Sequence, residues 1–565
     1  MKIYRYITTV LVSAFLFFSC NEEEWLKEEP LDFYSANISY VTGAQFNSAV
    51  AKLYDLTYDY TIFGGTDHFF TYTYVSDVAF RAKDPSKNLN PLKDALVPSA
   101  KVVNTNWKQF YNIVNVANTV LSRIDLEDTE FDTEEQRKSL KAEAYFFRAN
   151  AYRLLAHMFG GVPLALDEAT SPKRDFVRAS RAEVYAQAIS DAEFAAANLP
   201  AADNVAEDGR ISNAAAKHLL AELYISAGDY DKAIAIASEV IDDPNFELMT
   251  TRFGSRNNEP GDVYWDLFRR DNQNRASSGN KEAIFVAQYE YLVPGGGRGW
   301  NLGQFGLPSL HKLKGPDRKT LFNAAGGYSQ FGGRGIGWFQ PSEYMHSNVW
   351  ENAETDIRNS EYNILRDITV MNPSSAYVGQ KMIESGAYVE GESQNPYDAY
   401  WNPIFTKMGP INNHPDEFYV DKATGELLKT AVLTYTDGYL MRLAETYLLR
   451  AEAYIMKGDK TNAAIDINTI RARANATLVD AADVDIDYLL DERARELSYE
   501  EFRMITLMRM GKLTERMKIH NPMYNGKHGT NEIEEYHNLW PIPAAEIEKN
   551  SEAVLVQNPG YVGAP

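Results

Sequence analysis

The residues best suited to chemistry are aromatic and lie in the middle of the chain. Of the eight Trp, five fall between residues 265 and 401: Trp265, Trp300, Trp338, Trp350 and Trp401. An indole is a rigid apolar plate, and it can stack on the C–H face of a sugar ring while polar side chains bond the hydroxyl groups. Rigid rings lose little entropy on binding, so a shallow preformed site can work. We therefore expect Trp265, Trp300 and Trp338 to contact a ligand, although such rings more often form small cores under loops.

No motif supports catalysis, a metal site or a bound cofactor. The sequence contains no HExxH, GxxxxGK, GxSxG or CxxC pattern, and each of these carries a defined chemistry. The Gly-rich runs at 295–303 and 332–338 do not lie between a strand and a helix, as a phosphate cradle requires. Carboxylate pairs tell nothing about glycosidase activity, because a chain with 78 Asp and Glu always brings some of them together. We expect no enzyme, no metal and no cofactor.

The charge of the chain argues against nucleic acid as a partner. Lys and Arg number 56 and Asp and Glu number 78, which gives a net charge of −22. A polyphosphate would be repelled by such a surface unless a strong basic patch existed, and the sequence has no basic run. An apolar fraction of 45% and a charged fraction of 24% are those of an ordinary globular protein.

The N-terminus is typical of a lipoprotein signal. Lys2 and Arg5 precede an apolar stretch at 7–18, which is shorter than the roughly 20 residues that cross a bilayer but fits a secretory signal. Ser19 then precedes Cys20, the single Cys of the chain. We expect a signal peptide at 1–19 and a lipidated tether at 20–35, because several acyl chains on Cys20 would anchor the protein stably. The alternative is an ordinary secretory signal that ends in Cys.

The elements that must position the aromatic residues are helical. The sequence AELYISAGDYDKA at 221–233 returns as AEAYIMKGDKTNA at 451–463. Small Ala residues let two helices approach, Gly ends the first helix in the left-handed conformation, and Asp caps the second. This pattern predicts tetratricopeptide-like helix pairs. Apolar residues recur at helical spacing in further segments: 107–124, 136–159, 180–198, 212–242 and 440–474.

Between the helical segments the residue composition and the apolar periodicity change. Residues 294–350 are rich in Gly and aromatic residues and keep no helical period, which favours loops with short strands and helices. Such long irregular stretches in ordered proteins are usually functional. We predict a helical part at 36–245 with an irregular loop at 60–106, a loop-rich ligand-binding insertion at 246–435, a C-terminal helix pair at 436–520 and an irregular tail at 521–565 that packs on the helices.

Motifs spread over nearly the whole chain resemble the SusD/RagB family of outer-membrane glycan-binding lipoproteins from Bacteroidetes. No single motif decides the resemblance, but their order and spacing together are specific. The motifs are WLKEEPL at 25–31, KAEAYFFRANAYRLLAHMFGGVPLAL at 141–166, DLFR at 266–269, LAETYLLRAEA at 443–453, ERAREL at 492–497, LWPIP at 539–543 and QNPGY at 557–561.

The resemblance implies a fold, a location and a partner. The fold would be mainly α, with tetratricopeptide-like helix pairs forming a right-handed scaffold that carries the loop-rich insertion. The acidic run at 21–24 is similar to the surface-export signal of such lipoproteins, so the protein would face the cell exterior from the outer membrane. The partner would be a SusC-like TonB-dependent transporter, to which the protein delivers an oligosaccharide or polysaccharide. Ligand contacts in this family fall in the early irregular segment and the insertion, which adds Tyr74, Asp77 and Arg81 as candidates.

The chain departs from the family pattern in one place. Where the family often reads Glu-Gly-x-Arg-x-x-Asp-Leu-x-Arg-x-Gly, residues 500–511 read EEFRMITLMRMG. Glu501 stands at the Gly position and Thr506 at the Asp position, so a local turn or an ion pair is in question.

Two other functions remain compatible with these features. The protein could be a protein-interaction or peptide-binding lid of the transporter, in which case it would bind no glycan by itself. It could less readily be a glycoside hydrolase, which would release new reducing ends.

Overall fold

A computed structural model of the chain is mainly helical, which confirms the predicted fold class. The structure describes residues 39–63, 68–83, 89, 91–205, 207–389, 399–528 and 532–563. The predicted signal peptide at 1–19 and the whole tether at 20–35, with Cys20, lie outside the described residues.

The long helices form a series in which neighbours along the chain pack on each other. They are α1 (Gly43–Tyr58), α2 (Lys101–Arg123), α3 (Glu134–Phe159), α4 (Arg181–Asn198), α5 (Asn213–Ala227), α6 (Tyr230–Ile241), α7 (Leu443–Met456), α8 (Lys460–Arg473), α9 (Ile486–Leu497), α10 (Arg503–Arg509) and α11 (Leu513–His520). From α2 to α8, each helix packs against the next, and α1 packs on α2 and α3. The spacing predicts a start of α2 at Trp107, but the helix begins at Lys101 because Val102 and Val103 extend its buried face.

Both copies of the repeated motif form the same helix hairpin. Gly228 and Gly458 have φ angles of 82° and 79°, a conformation that Gly adopts at little cost. The side chains of Asp229 and Asp459 then accept backbone N–H groups in the first turns of α6 and α8, at 3.4 and 3.1 Å. The helix pairs predicted from this motif are confirmed at both positions.

The irregular segments contain short helices and pairs of strands. The strands are β1 (Ala79–Arg81), β2 (Ala283–Ala287), β3 (Phe339–Pro341), β4 (Ile364–Leu365), β5 (Ile404–Phe405), β6 (Tyr419–Asp421), β7 (Glu426–Leu427) and β8 (Gly438–Arg442). They pair antiparallel as β1–β3, β2–β8, β4–β5 and β6–β7. The short α-helices are Phe69–Tyr74, Leu92–Ala95, Val263–Leu267, Arg275–Ser278, Leu302–Gly306, Glu343–His346 and Ala544–Lys549.

The helical series continues across the insertion. Helix α6 ends at Ile241 and α7 begins at Leu443, yet these two helices pack directly against each other. Strands β2 and β8 pair just before α7 begins. The chain therefore leaves the helical series after α6 and returns to it beside α6, at α7.

A buried network of ion pairs joins the insertion to the C-terminal helices. Glu496 on α9 accepts hydrogen bonds from Arg358 at 3.0 Å and from Arg442 at 2.7 Å. Glu282 accepts from Arg442 at 2.8 Å and from Arg473 at 2.7 Å. We call these five residues the Glu496 network. Its side chains come from the residue before β2, from the last residue of β8, from the middle of the insertion and from α8 and α9, and all of them are buried.

The charges in this network hold each other in the ionised state. Burial alone would raise the pKa of Glu496, but Arg473, Arg442 and Arg358 together hold that pKa well below its usual range. A buried carboxylate of this kind tolerates the loss of a partner poorly, because an unpaired charge in the interior is costly.

The two residues that depart from the family pattern contact each other. The carboxylate of Glu501 accepts from Arg493 Nε at 2.9 Å, from Arg503 Nη1 at 3.0 Å and from the Thr506 hydroxyl at 3.2 Å. Position 501 thus supplies a carboxylate to these arginines, whereas the family pattern places an acid at position 506. The helix α10 is formed, and we infer from this contact that the two departures from the family pattern compensate each other.

This compensation predicts strong coupling between the two positions. Glu501→Gly alone leaves Arg493 short of a partner, and Thr506→Asp alone places a second carboxylate beside Glu501, so each variant should unfold more easily in urea. The double variant should be more stable than the sum of the two losses by about 1 kcal/mol or more. Losses that simply add would show that the two positions act independently.

Candidate functional site

Strands β1 and β3 bring together the two irregular segments in which ligand contacts are expected. Arg81 pairs with Phe339 in this ladder. The N–H groups of Ala82 and Lys83 donate to the carbonyl of Trp338 at 2.9 and 3.1 Å. The early segment and the insertion are therefore adjacent at this point, although the helices α2 to α6 lie between them in the sequence.

Three of the sequence-predicted residues come together around this strand pair. The Arg81 guanidinium lies 4.7 Å from the centre of the Trp338 ring and 5.8 Å from the centre of the Tyr74 ring. Phe305 packs against Trp338 with ring centres 4.6 Å apart. We call Tyr74, Arg81, Phe305 and Trp338 the Trp338 cluster. Tyr74 and Arg81 are buried, whereas Trp338 is partly exposed.

The cluster fixes the orientation of the exposed indole. Arg81 interacts with the ring as a cation does with a π face, and its Nε also donates to the carbonyl of Lys83 at 3.1 Å. Phe305 in turn packs against Phe70, with ring centres 4.7 Å apart. A ring fixed in this way loses little freedom when a ligand stacks on it.

Phe305 is the member of the cluster that sequence reasoning did not single out. It lies on the short helix Leu302–Gly306, and its carbonyl accepts from the N–H of Trp338 at 2.8 Å. A lone Phe in a Gly-rich run shows no periodic pattern, so no local signal identifies its partner.

Asp77, also a candidate, lies in the interior. Its side chain is 0% exposed and accepts from Arg503 Nη2 at 2.8 Å and from Arg516 Nε at 2.9 Å. Burial alone would raise the pKa of Asp77, but Arg503 and Arg516 hold it well below its usual range. Both carboxylate oxygens are used by these two arginines, so Asp77 offers no group to a ligand at the surface.

Trp265 and Trp300 are also buried, at 5% and 8% exposure. Arg269 lies over the Trp265 ring, 4.6 Å from its centre, and Trp300 Nε1 donates to the carbonyl of Thr436 at 3.0 Å. These two indoles pack inside the protein. Of the three Trp expected to contact ligand, Trp338 is partly exposed and the other two are buried.

Trp300 lines an interior cavity between the helices and the insertion. The cavity has a volume of about 110 Å³, whereas pockets for drug-sized ligands measure roughly 300–1,000 Å³. It is lined by both cations and carboxylates, among them Arg493 and Glu445. The cavity is too small for an oligosaccharide.

Two further observations concern metals and membranes. Within the described residues, no three His, Cys, Asp or Glu side chains converge to hold a metal ion. No helix in that part of the chain is long and apolar enough to cross a bilayer.

Sequence comparison identifies the family. The profile of the SusD family matches residues 264–561, which is more than half of the chain. The chain belongs to the SusD family. A second profile, of SusD-like proteins described as starch-binding and associating with the outer membrane, matches residues 26–225 of this SusD-family chain.

Individual relatives align over nearly the full length. A SusD-like protein from Formosa agariphila, P25, is 24% identical and covers 96% of this chain and 97% of its own length. A solved structure of a laminarin-binding SusD-like protein has a TM-score of 0.62 at 24% identity and covers 92% of this chain and 100% of that one. Surface glycan-binding protein A from Bacteroides uniformis has a TM-score of 0.63 at 18% identity, covering 91% and 99%. At this identity the structures show that the fold is shared.

The burial of Asp77 predicts a role in stability. Asp77→Asn removes the carboxylate that Arg503 and Arg516 share and leaves these arginines only their other partners, such as Glu501 and Asp491. The free energy of unfolding should therefore fall by about 3 kcal/mol, as measured by urea denaturation. Asp55→Asn, which removes an ion pair to Lys52 between two exposed side chains, is the control and should change little. A fully stable Asp77→Asn protein would show that this carboxylate does not hold the two arginines.

Proposed function

We propose that this SusD-family protein captures a glycan at the Trp338 cluster and delivers it to a SusC-like TonB-dependent transporter. The observation that carries the proposal is the meeting of the early segment and the insertion at one oriented, partly exposed indole. Family members of the same fold are named for binding laminarin and surface glycans. Delivery to a transporter is what membership of the family implies.

Capture at this site would need no covalent chemistry. Arg81 occupies one side of the Trp338 ring, so a sugar ring would stack on the exposed remainder of the indole. Hydroxyl groups of the same sugar would bond to polar groups on the neighbouring loops. Binding of this kind is reversible and releases the glycan unchanged, which suits a protein that passes its ligand on.

Replacing Trp338 tests the site directly. Trp338→Ala should weaken retention in native gels that contain laminarin, starch or another glycan that retards the wild type, by about tenfold in affinity, equivalent to ~1.4 kcal/mol. Tyr362→Ala is a suitable control because Tyr362 is exposed and also belongs to the insertion.

Three results would contradict the proposal. Unchanged retention of Trp338→Ala would reject the Trp338 cluster as the site. If no glycan retards the wild type but the protein copurifies with the transporter, the protein-interaction lid would be favoured. New reducing ends in the glycan would favour a hydrolase.

We also propose that acyl chains on Cys20 hold the protein at the outer membrane, facing the exterior. The position of the single Cys after an apolar stretch supports this, and the family is described as associating with the outer membrane. Cys20→Ala should abolish labelling by radioactive palmitate and move the protein out of the membrane fraction, because stable anchoring depends on several acyl chains. Persistent membrane association without label would point to a protein contact as the anchor.

A further inference from the structure

A shallow polar depression lies on the insertion, apart from the Trp338 cluster. It has a volume of about 580 Å³, and its lining includes Gln330, Asn412, Asn413, His414 and Tyr419. None of these residues belongs to the Trp338 cluster, and the sequence singled out none of them. The depression is formed where the loop 410–418 meets the hairpin of β6 and β7.

The aromatic ring in the depression is fixed in place. Tyr419 is partly exposed, and its hydroxyl lies 2.9 Å from Ser329 Oγ, which in turn lies 2.8 Å from His414 Nδ1. Ser329 and His414 are both buried. Burial lowers the pKa of His414 to about 3, so this chain of hydrogen bonds is neutral at physiological pH. The Tyr419 ring is therefore a preoriented, uncharged surface.

Two amide side chains that line the same depression have no hydrogen-bond partner among the described residues. Asn412 is exposed with a φ angle of 53°, and its backbone N–H donates to the carbonyl of Ser329 at 3.0 Å. The backbone N–H of Asn413 donates to the carbonyl of Pro410 at 2.9 Å. Among the described residues, neither the Asn412 nor the Asn413 amide makes a hydrogen bond within the protein. Each amide thus offers two donors and an acceptor to a ligand.

The chemistry of the depression suits a neutral, hydroxyl-rich ligand. Asp416 and Lys422 are its charged residues, and they pair with each other at 2.7 Å at the exposed rim. Their charges cancel, so the depression has no fixed preference for an ion. Side-chain amides beside an aromatic ring instead match the hydroxyls and the C–H face of a sugar.

The depression lies within reach of the Trp338 cluster. A Cβ placed on Gly333 would be 2.8 Å from Nε2 of His414, which lines the depression, so Gly333 lies directly beside this lining residue. Trp338 follows Gly333 by five positions, which limits the distance between their Cα atoms to about 18 Å. One extended polymer could therefore contact both places.

We infer that this depression is a second subsite for the glycan chain that stacks on Trp338, and that Asn412, Asn413 and Tyr419 recognise a neutral sugar unit there. The inference rests on the proposed function. Occupation of two linked subsites turns the second contact into an intramolecular one. Affinity should accordingly rise with the length of the glycan until both subsites are filled.

The experiment compares oligosaccharides of graded length from laminarin and from starch by isothermal titration calorimetry. The variant is Asn412→Gly combined with Asn413→Ala, because Gly keeps the left-handed backbone at residue 412. The matched control is Asn352→Gly, since Asn352 is also exposed, lies in the insertion and has a φ angle of 57°. The double variant should lose about tenfold in affinity for the longest oligosaccharide and nothing for the shortest one that binds.

Each other outcome overturns the inference. If the double variant binds oligosaccharides of every length as Asn352→Gly does, or loses the same affinity at every length, the depression is not a second subsite. In either case, a loss of affinity in Trp338→Ala would still support the proposed function. A wild type that binds neither series counts against both proposals.

Discussion

The buried ion pairs of the Glu496 network join segments of the chain that are distant in sequence. Charges that leave water must be matched by opposite charges at hydrogen-bond distance, because an unmatched one costs several kcal/mol. In this protein the matching groups lie far apart in the chain: Glu282 before β2, Arg358 in the middle of the insertion, Arg442 at the end of β8 and Glu496 on α9. Few arrangements satisfy all of these groups together. The base of the insertion is thereby fixed to the helices, and a similar pairing of Asp77 with Arg503 and Arg516 fixes the early segment.

The residues that stabilise the fold are therefore different from those proposed to bind the glycan. The buried charges hold the segments, and the groups that could contact a glycan lie beyond them on strand pairs and loops. Trp338 is positioned by the β1–β3 pair and by Arg81, and Tyr419 is positioned by Ser329 and His414. In both places a buried polar contact orients a ring that is only partly exposed. Preorganisation of this kind allows a shallow surface to bind without a closing lid.

The helices could be predicted from the sequence, and the burial of individual side chains could not. Gly228 and Asp229 determine a helix turn through contacts a few residues away, so the repeated motif contains the whole signal. Asp77 and Arg503 are 426 positions apart, and nothing near either residue indicates the other. Trp265 and Trp338 likewise look alike in sequence, although Arg269 covers the first and the second reaches the surface. Tyr74, Arg81 and Trp338 could be nominated together only because the family resemblance named two segments; their contact depends on the β1–β3 pair.

The direct packing of α6 on α7 has a consequence for how the chain folds. Closing a loop of roughly 200 residues costs about 5 kcal/mol of chain entropy if the loop is still unstructured. Contacts between such distant segments also slow folding. The pairing of β2 with β8 is a second long-range contact, and it lies directly before α7. During synthesis, α7 leaves the ribosome long after α6, and until then the face of α6 that α7 covers has no neighbour and is exposed to other chains.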